Sequence, residues 1–251
     1  MTPVLSSIVP HRVDVASETP INEPLRDRAR ATPPHWAHDP IDAWDDQAFG
    51  YQQNFATGVY WSDQASVNVH RVIGTQHPDY QGRTWLDFLN GGKRMGENLP
   101  LHATNRPYYL DTVRKAPMMY YVTLDGLHYY VEADGNHRTC IAKFDYHFHG
   151  LSTLHGVTVT QYDIDQEFYR RYLALKALCR ERRLPYQFAG QRTPLRRNDT
   201  AGWKLDRFEV SLVVENNQTR EQRRLDRGGA GRLLDELRGK PHRRWWRWWR
   251  S

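Results

Sequence analysis

Cysteine is scarce in this chain. Only Cys140 and Cys179 occur in 251 residues, and both fall inside segments of helical spacing. That excludes a disulfide framework or a cysteine-built metal cluster and leaves two small buried hydrophobes of a reducing compartment. Nor is there any run near the roughly 18 to 20 consecutive apolar residues that span a bilayer. The start, Met1-Thr2-Pro3-Val4, lacks the charged region and apolar stretch of an export signal, so a cytoplasmic protein is expected. No repeat of solenoid or propeller length appears. What the chain does have is 39% hydrophobic and 25% charged residues, which suits a globular domain with a sizeable core. A mean hydropathy of −0.80 indicates that some of the chain lies outside that core.

The net charge of +6 is unevenly spread. Residues 1–55 hold four basic and eight acidic residues, whereas residues 220–251 hold eleven basic and four acidic ones. A basic end of this size favours a polyanionic partner, either nucleic acid or an anionic membrane surface. The acidic end is rich in Pro, Asp, Arg and Ala, with Pro33, Pro34 and Pro40 interrupting any helical pattern. An extended arm is therefore expected over 1–55, with Trp36, Trp44 and Phe49 free to dock on the domain or on a partner.

The expected fold class is α+β: a mixed β-sheet with flanking helices over 56–184, an α/β extension over 185–240 and a basic aromatic tail over 241–251. Alternation over 66–73 reads as a strand, and 84–89 as a short helix stopped by Gly91-Gly92. Two β-rich runs flank Asp125-Gly126, the preferred chemistry of a two-residue type I′ hairpin turn. A strand over 157–162 precedes a helix with a buried stripe of Phe168, Tyr172, Leu175 and Cys179, stopped by Pro185. Asp163 and Asp165 suit its cap. A further strand over 208–214 and a short helix around 233–237 complete the pass.

The segment that carries chemistry is Asp134-Gly135-Asn136-His137-Arg138, where the second hairpin strand runs into a helix marked by Ile141, Phe144 and Phe148. A helix start offers backbone N–H groups without internal partners and partial positive charge, so it favours an anion. Gly135 permits close backbone approach. His137 and Arg138 add side-chain donors, and the guanidinium fork matches phosphate oxygens. Thr139 offers a hydroxyl to the same site or to the cap. The bland alternative is a turn that merely changes the chain's direction. His147, His149 and His155 read as structural or surface residues, since two histidines one residue apart lie on different sides of a helix.

The run Tyr130-Val131-Glu132-Ala133-Asp134-Gly135-Asn136-His137-Arg138-Thr139-Cys140-Ile141-Ala142-Lys143-Phe144 resembles the signature of the ParB/sulfiredoxin superfamily, and the resemblance spans roughly residues 60 to 165. Sulfiredoxin itself is disfavoured, because its reactive cysteine precedes the His-Arg pair and this chain has Asn136 there. With Arg94-Met95-Gly96-Glu97-Asn98 and the hairpin added, the chain is similar to plasmid fertility-inhibition and oncogenicity-suppression proteins. That resemblance implies an ATPase and DNase acting on DNA in transit through a conjugation-type (type IV) secretion system. ATP and a divalent metal, Mg²⁺ by expectation, are the implied cofactors. Asp134, Gly135, Asn136, His137, Arg138 and Thr139 would bind nucleotide phosphate. His137 and Arg138 would stabilise charge, and Glu97 would serve as metal ligand or base, although without the resemblance it reads first as a solvated loop charge. Two rivals stand beside this: a non-catalytic DNA-binding or secretion-system adaptor that senses nucleotide, and a small-molecule phosphotransferase.

For nucleic acid, the expected contacts are Arg71, Arg94 and the tail residues Arg243, Arg244, Trp245, Trp246 and Arg247. Indole and guanidinium groups stack on unpaired bases at about 1–3 kcal/mol per base. The same composition suits the headgroup region of an anionic membrane, and a partly disordered extension with no specific partner is the bland third alternative.

Overall fold

A computed structural model of the chain describes residues 24–239. In chain order the described residues form α1 (Leu25–Ala31), β1 (Asp42–Ala43), α2 (Asp46–Gln52), β2 (Ala56–Asn68), β3 (Val72–Thr75), α3 (Trp85–Gly91), α4 (Met95–Thr104), α5 (Pro107–Leu110), β4 (Tyr120–Thr123), β5 (Tyr129–Val131), α6 (Asn136–His149), β6 (Thr153–Ile164), α7 (Gln166–Glu181), β7 (Tyr186–Thr200), β8 (Trp203–Asn216), β9 (Gln222–Leu225) and α8 (Arg227–Gly239). The α+β class is as expected. One sheet of nine strands runs β1-β3-β5-β4-β6-β2-β8-β7, with β9 paired to β8. It is mixed: β1, β3 and β5 lie parallel, as do β4 and β6, while β2, β7, β8 and β9 pair antiparallel. No helix among the described residues is long and apolar enough to cross a membrane.

Local chemistry explains most boundaries. Thr84 caps α3 by accepting from the Asp87 amide at 3.0 Å, and Asp165 caps α7 through the Phe168 amide at 2.9 Å. Asp163 does not cap; it meets Arg207 instead. The stripe Phe168, Tyr172, Leu175 and Cys179 is buried as its spacing requires.

Two core clusters form. One joins Ile141, Phe144 and Tyr146 of α6 to Trp85, Phe88 and Leu89 of α3 and to Tyr121, Val131 and Val157 of the sheet. The other joins α7 to Leu212 and Val214 of β8 and to Ala230, Leu234 and Leu237 of α8. The boundary drawn at 184/185 thus crosses a continuous sheet and the second core.

Three other expectations are corrected. Residues 24–55 are not an extended arm. Ala29, Ala37, Ile41, Trp44 and Phe55 are buried, and the Trp36 ring lies 4.7 Å from that of Phe144. Prolines there punctuate short helices that the core then holds by packing. Residues 1–23 and the tail, 240–251, lie outside the described residues. The alternating run over 66–73 is broken by a 3₁₀ turn at Val69–Arg71 between β2 and β3, where Asn68 Oδ1 accepts from the His70 amide at 2.9 Å, the kind of local bond that competes with a ladder. Finally, the hairpin pairs Val122 with Tyr130, one residue off a two-residue turn. Asp125 Oδ1 accepts from the amides of both Leu127 and His128, each at 2.8 Å, and so stabilises a wider loop with Gly126 at φ +71°.

Candidate phosphate-binding site

The start of α6 is anchored to the start of β4. The Tyr120 amide donates to Asp134 O at 3.0 Å and the Glu132 amide to Tyr120 O at 2.9 Å, which carries the chain past the end of β5. Gly135 then turns it at φ +116°, where a Cβ would lie 3.1 Å from Met119 Cβ. Only glycine takes this conformation without strain. The first bond of the helix runs from the Thr139 amide to Gly135 O at 2.7 Å. No side chain caps the helix, and the amides of Asn136, His137 and Arg138 have no acceptor among the described residues. His137 lies on the wall of both cavities beside this helix start, Asn136 on that of the smaller and Arg138 on that of the larger.

The larger cavity, about 350 Å³, is lined by Arg94, Asn98, His102, Tyr108, His137 and Arg138 among others. The smaller, about 220 Å³, is more polar and is lined by His77, Asp79, Lys93, Arg94, Asn136 and His137 among others. Arg94, Asp134 and His137 belong to both. Lys93 and Arg94 are exposed and form no ion pair among the described residues, which leaves two cations for a ligand on the wall beside the helix start.

Several predicted residues have other duties. Arg138 is not a free phosphate fork. Its Nη1 donates to Tyr108 OH and to Pro117 O, each at 2.8 Å, and its Nη2 donates to Met118 O at 3.2 Å and Asp134 Oδ2 at 2.6 Å. With a side chain only 11% exposed, it clamps the segment before β4. His137 is not a cationic donor either. Its Nε2 accepts the Arg94 amide at 3.2 Å, which puts the proton on Nδ1, and burial, with Arg94 nearby, lowers its pKa below the ordinary histidine range. Against Tyr80 and Phe88 it is a neutral ring that positions Arg94.

Thr139 is fully buried, and its hydroxyl lies 2.8 Å from Tyr121 OH, out of reach of a ligand. Asn136 Oδ1 accepts from the Thr75 hydroxyl at 2.6 Å, tying the helix start to the end of β3. Asp134 is 61% exposed beside Arg138. Glu97 is exposed in the first turn of α4 and lines neither cavity. Among the described residues no group of three or more His, Cys, Asp or Glu is arranged to hold a metal ion. Arg71 is exposed on the turn before β3 and lines neither cavity. Arg243, Arg244, Trp245, Trp246 and Arg247 lie outside the described residues.

Sequence reasoning missed Thr75, His77, Tyr108 and His102. Each reaches the site from an element distant in sequence, and none sits in a local pattern that singles it out. No known family, curated protein or solved structure matches the chain.

Proposed function

We propose that the protein binds a phosphate group of a nucleotide or nucleic acid at the start of α6, as a ParB/sulfiredoxin-like module would. The supporting observation is the coincidence of an uncapped helix start, at Asn136 and His137, with two cations free of ion pairs among the described residues, Lys93 and Arg94, on the wall of the smaller cavity. Amides at a helix start and a flexible lysine or arginine are a recurrent solution for phosphate. Arg138 supports this site from behind by holding the segment at 117–118 and Asp134 in place. ATP is the nucleotide to test first, and single-stranded DNA the polymer.

Binding of ATP and of a short oligonucleotide, measured by calorimetry with and without Mg²⁺, tests the reading. Replacing Arg94 with Gln removes one charge-assisted contact and is expected to weaken binding roughly tenfold, about 1.4 kcal/mol. Lys93→Gln acts in the same direction. Affinity unchanged in both variants contradicts the assignment. The position of Glu97 favours recognition by this site without Glu97-dependent hydrolysis, which turnover assays across Mg²⁺, Mn²⁺ and EDTA check directly.

A further inference from the structure

The larger cavity holds a second polar feature that phosphate binding does not use. His102, in the last turn of α4, lines it, yet its side chain is only 10% exposed. Behind it lies Asp145 of α6, with a side chain 3% exposed. His102 Nε2 is 3.5 Å from Asp145 Oδ1, about half an ångström beyond a normal hydrogen bond. Both Nε2 and the other carboxylate oxygen, Oδ2, are buried and lack hydrogen-bond partners among the described residues. The nitrogens of an imidazole point to nearly opposite sides of the ring. With Nε2 directed at a buried carboxylate, Nδ1 is the nitrogen on the other side of a ring that lines the cavity. Tyr109, 4.9 Å away at 76°, holds the ring edge-on.

The carboxylate is kept ionised by its surroundings. Burial pushes the Asp145 pKa up, but His102, Arg106 and His149 outweigh burial and hold it below the ordinary range. Arg106 Nη2 lies 3.8 Å and His149 Nδ1 3.1 Å from Oδ1. A buried anion facing one imidazole nitrogen favours the proton on that nitrogen and leaves the other as an acceptor.

We infer that Asp145 and His102 form an acid–base pair serving the larger cavity, with His102 Nδ1 as the general base toward water and Asp145 as its positioning residue. This rests on the phosphate-binding reading above and adds hydrolysis of a phosphate ester or anhydride to it. A water oxygen forms a new bond to phosphorus while its proton passes to Nδ1. The bond from phosphorus to the leaving oxygen breaks, and that oxygen keeps the electron pair. The imidazolium then gives its proton to the leaving oxygen or to solvent, and the site is restored. The pair supplies the base that Glu97, outside both cavities, does not.

The test uses the full chain with ATP, bis(p-nitrophenyl) phosphate and a single-stranded oligonucleotide as probes. His102→Gln is expected to lower kcat on the probe that turns over by about 100-fold or more, and Asp145→Asn by about tenfold or more, with ATP affinity within about twofold of the parent. Nitrogen-15 NMR of the unmodified protein, with His102 assigned from the His102→Gln spectrum, is expected to show the proton on Nε2 and a free lone pair on Nδ1. That readout stands even where Asp145→Asn fails to fold. A proton resident on Nδ1, or full kcat in His102→Gln, overturns the inference. If ATP binds with Arg94-dependent affinity and none of the three probes turns over, the acid–base pair is refuted and the phosphate site survives. If ATP and the oligonucleotide fail to bind, both readings fall.

Discussion

Arg138 is the residue whose replacement best separates a scaffold from a ligand contact. Its guanidinium makes four hydrogen bonds, to Tyr108 OH, Pro117 O, Met118 O and Asp134 Oδ2. The Asp134 carboxylate is 61% exposed, so that pair is screened by solvent and adds a few tenths of a kcal/mol at most. The other three carry the stabilisation. Pro117 O keeps a second donor, Tyr108 OH at 2.6 Å, which softens its loss; no other donor to Met118 O is found among the described residues. At about 1 kcal/mol for each charge-assisted bond after water compensates in part, Arg138→Ala is expected to lose about 3 kcal/mol of folding stability. Arg138→Lys restores one contact and loses about 2 kcal/mol. Urea denaturation followed by circular dichroism measures both, and an unchanged slope with a lower midpoint identifies a stability effect. If Arg138→Ala loses less than about 1 kcal/mol yet abolishes ATP binding, the clamp is wrong and the guanidinium belongs to the ligand.

Other expectations follow from single contacts. Lys143 is 3% exposed, donates to Val69 O and Val72 O and sits 4.4 Å from the Trp85 ring centroid; burial lowers its pKa from 10.5 to about 8. The unfolded chain then binds more protons between those values, so stability rises with pH across that window. In denaturation at pH 7.5 and 9.5, Lys143→Met should remove about 2 kcal/mol of that rise; a variant with the parent's pH dependence refutes the assignment. Gly135→Ala forces a Cβ against Met119 at φ +116°, and a loss of about 2 kcal/mol is expected in the same assay. Glu97→Ala should leave stability within about 0.5 kcal/mol and ATP affinity unchanged, and a large fall in affinity would return Glu97 to the site.

Where chemistry was local, the sequence was readable. Asp165 as a cap, the stripe of α7 and the turn at Gly135 depend on residues within a few positions of one another, and each was found. The two-residue hairpin was not, because Asp125 spends its carboxylate on two amides and shifts the pairing by one residue. The arm over 24–55 was misread because short helices with weak local preference are held by distant partners, Trp36 by Phe144 and Trp44 by Tyr130. The site divides in the same way. Its backbone donors were legible in the motif, but the fate of each side chain was not. Thr139 turns to Tyr121, Asn136 to Thr75 and Arg138 to 117–118, and all three choices are made by contacts remote in sequence. The cations left over, Lys93 and Arg94, reach the cavity from the loop before α4.

The amides at the start of α6 can be watched individually. Titrating ATP into nitrogen-15-labelled protein should move the Asn136, His137 and Arg138 amide resonances together with that of Arg94, with one common dissociation constant that weakens about tenfold in Arg94→Gln. If those four resonances stay in place while ATP binds elsewhere, or if ATP does not bind at all, the helix start is a structural turn and not a phosphate site.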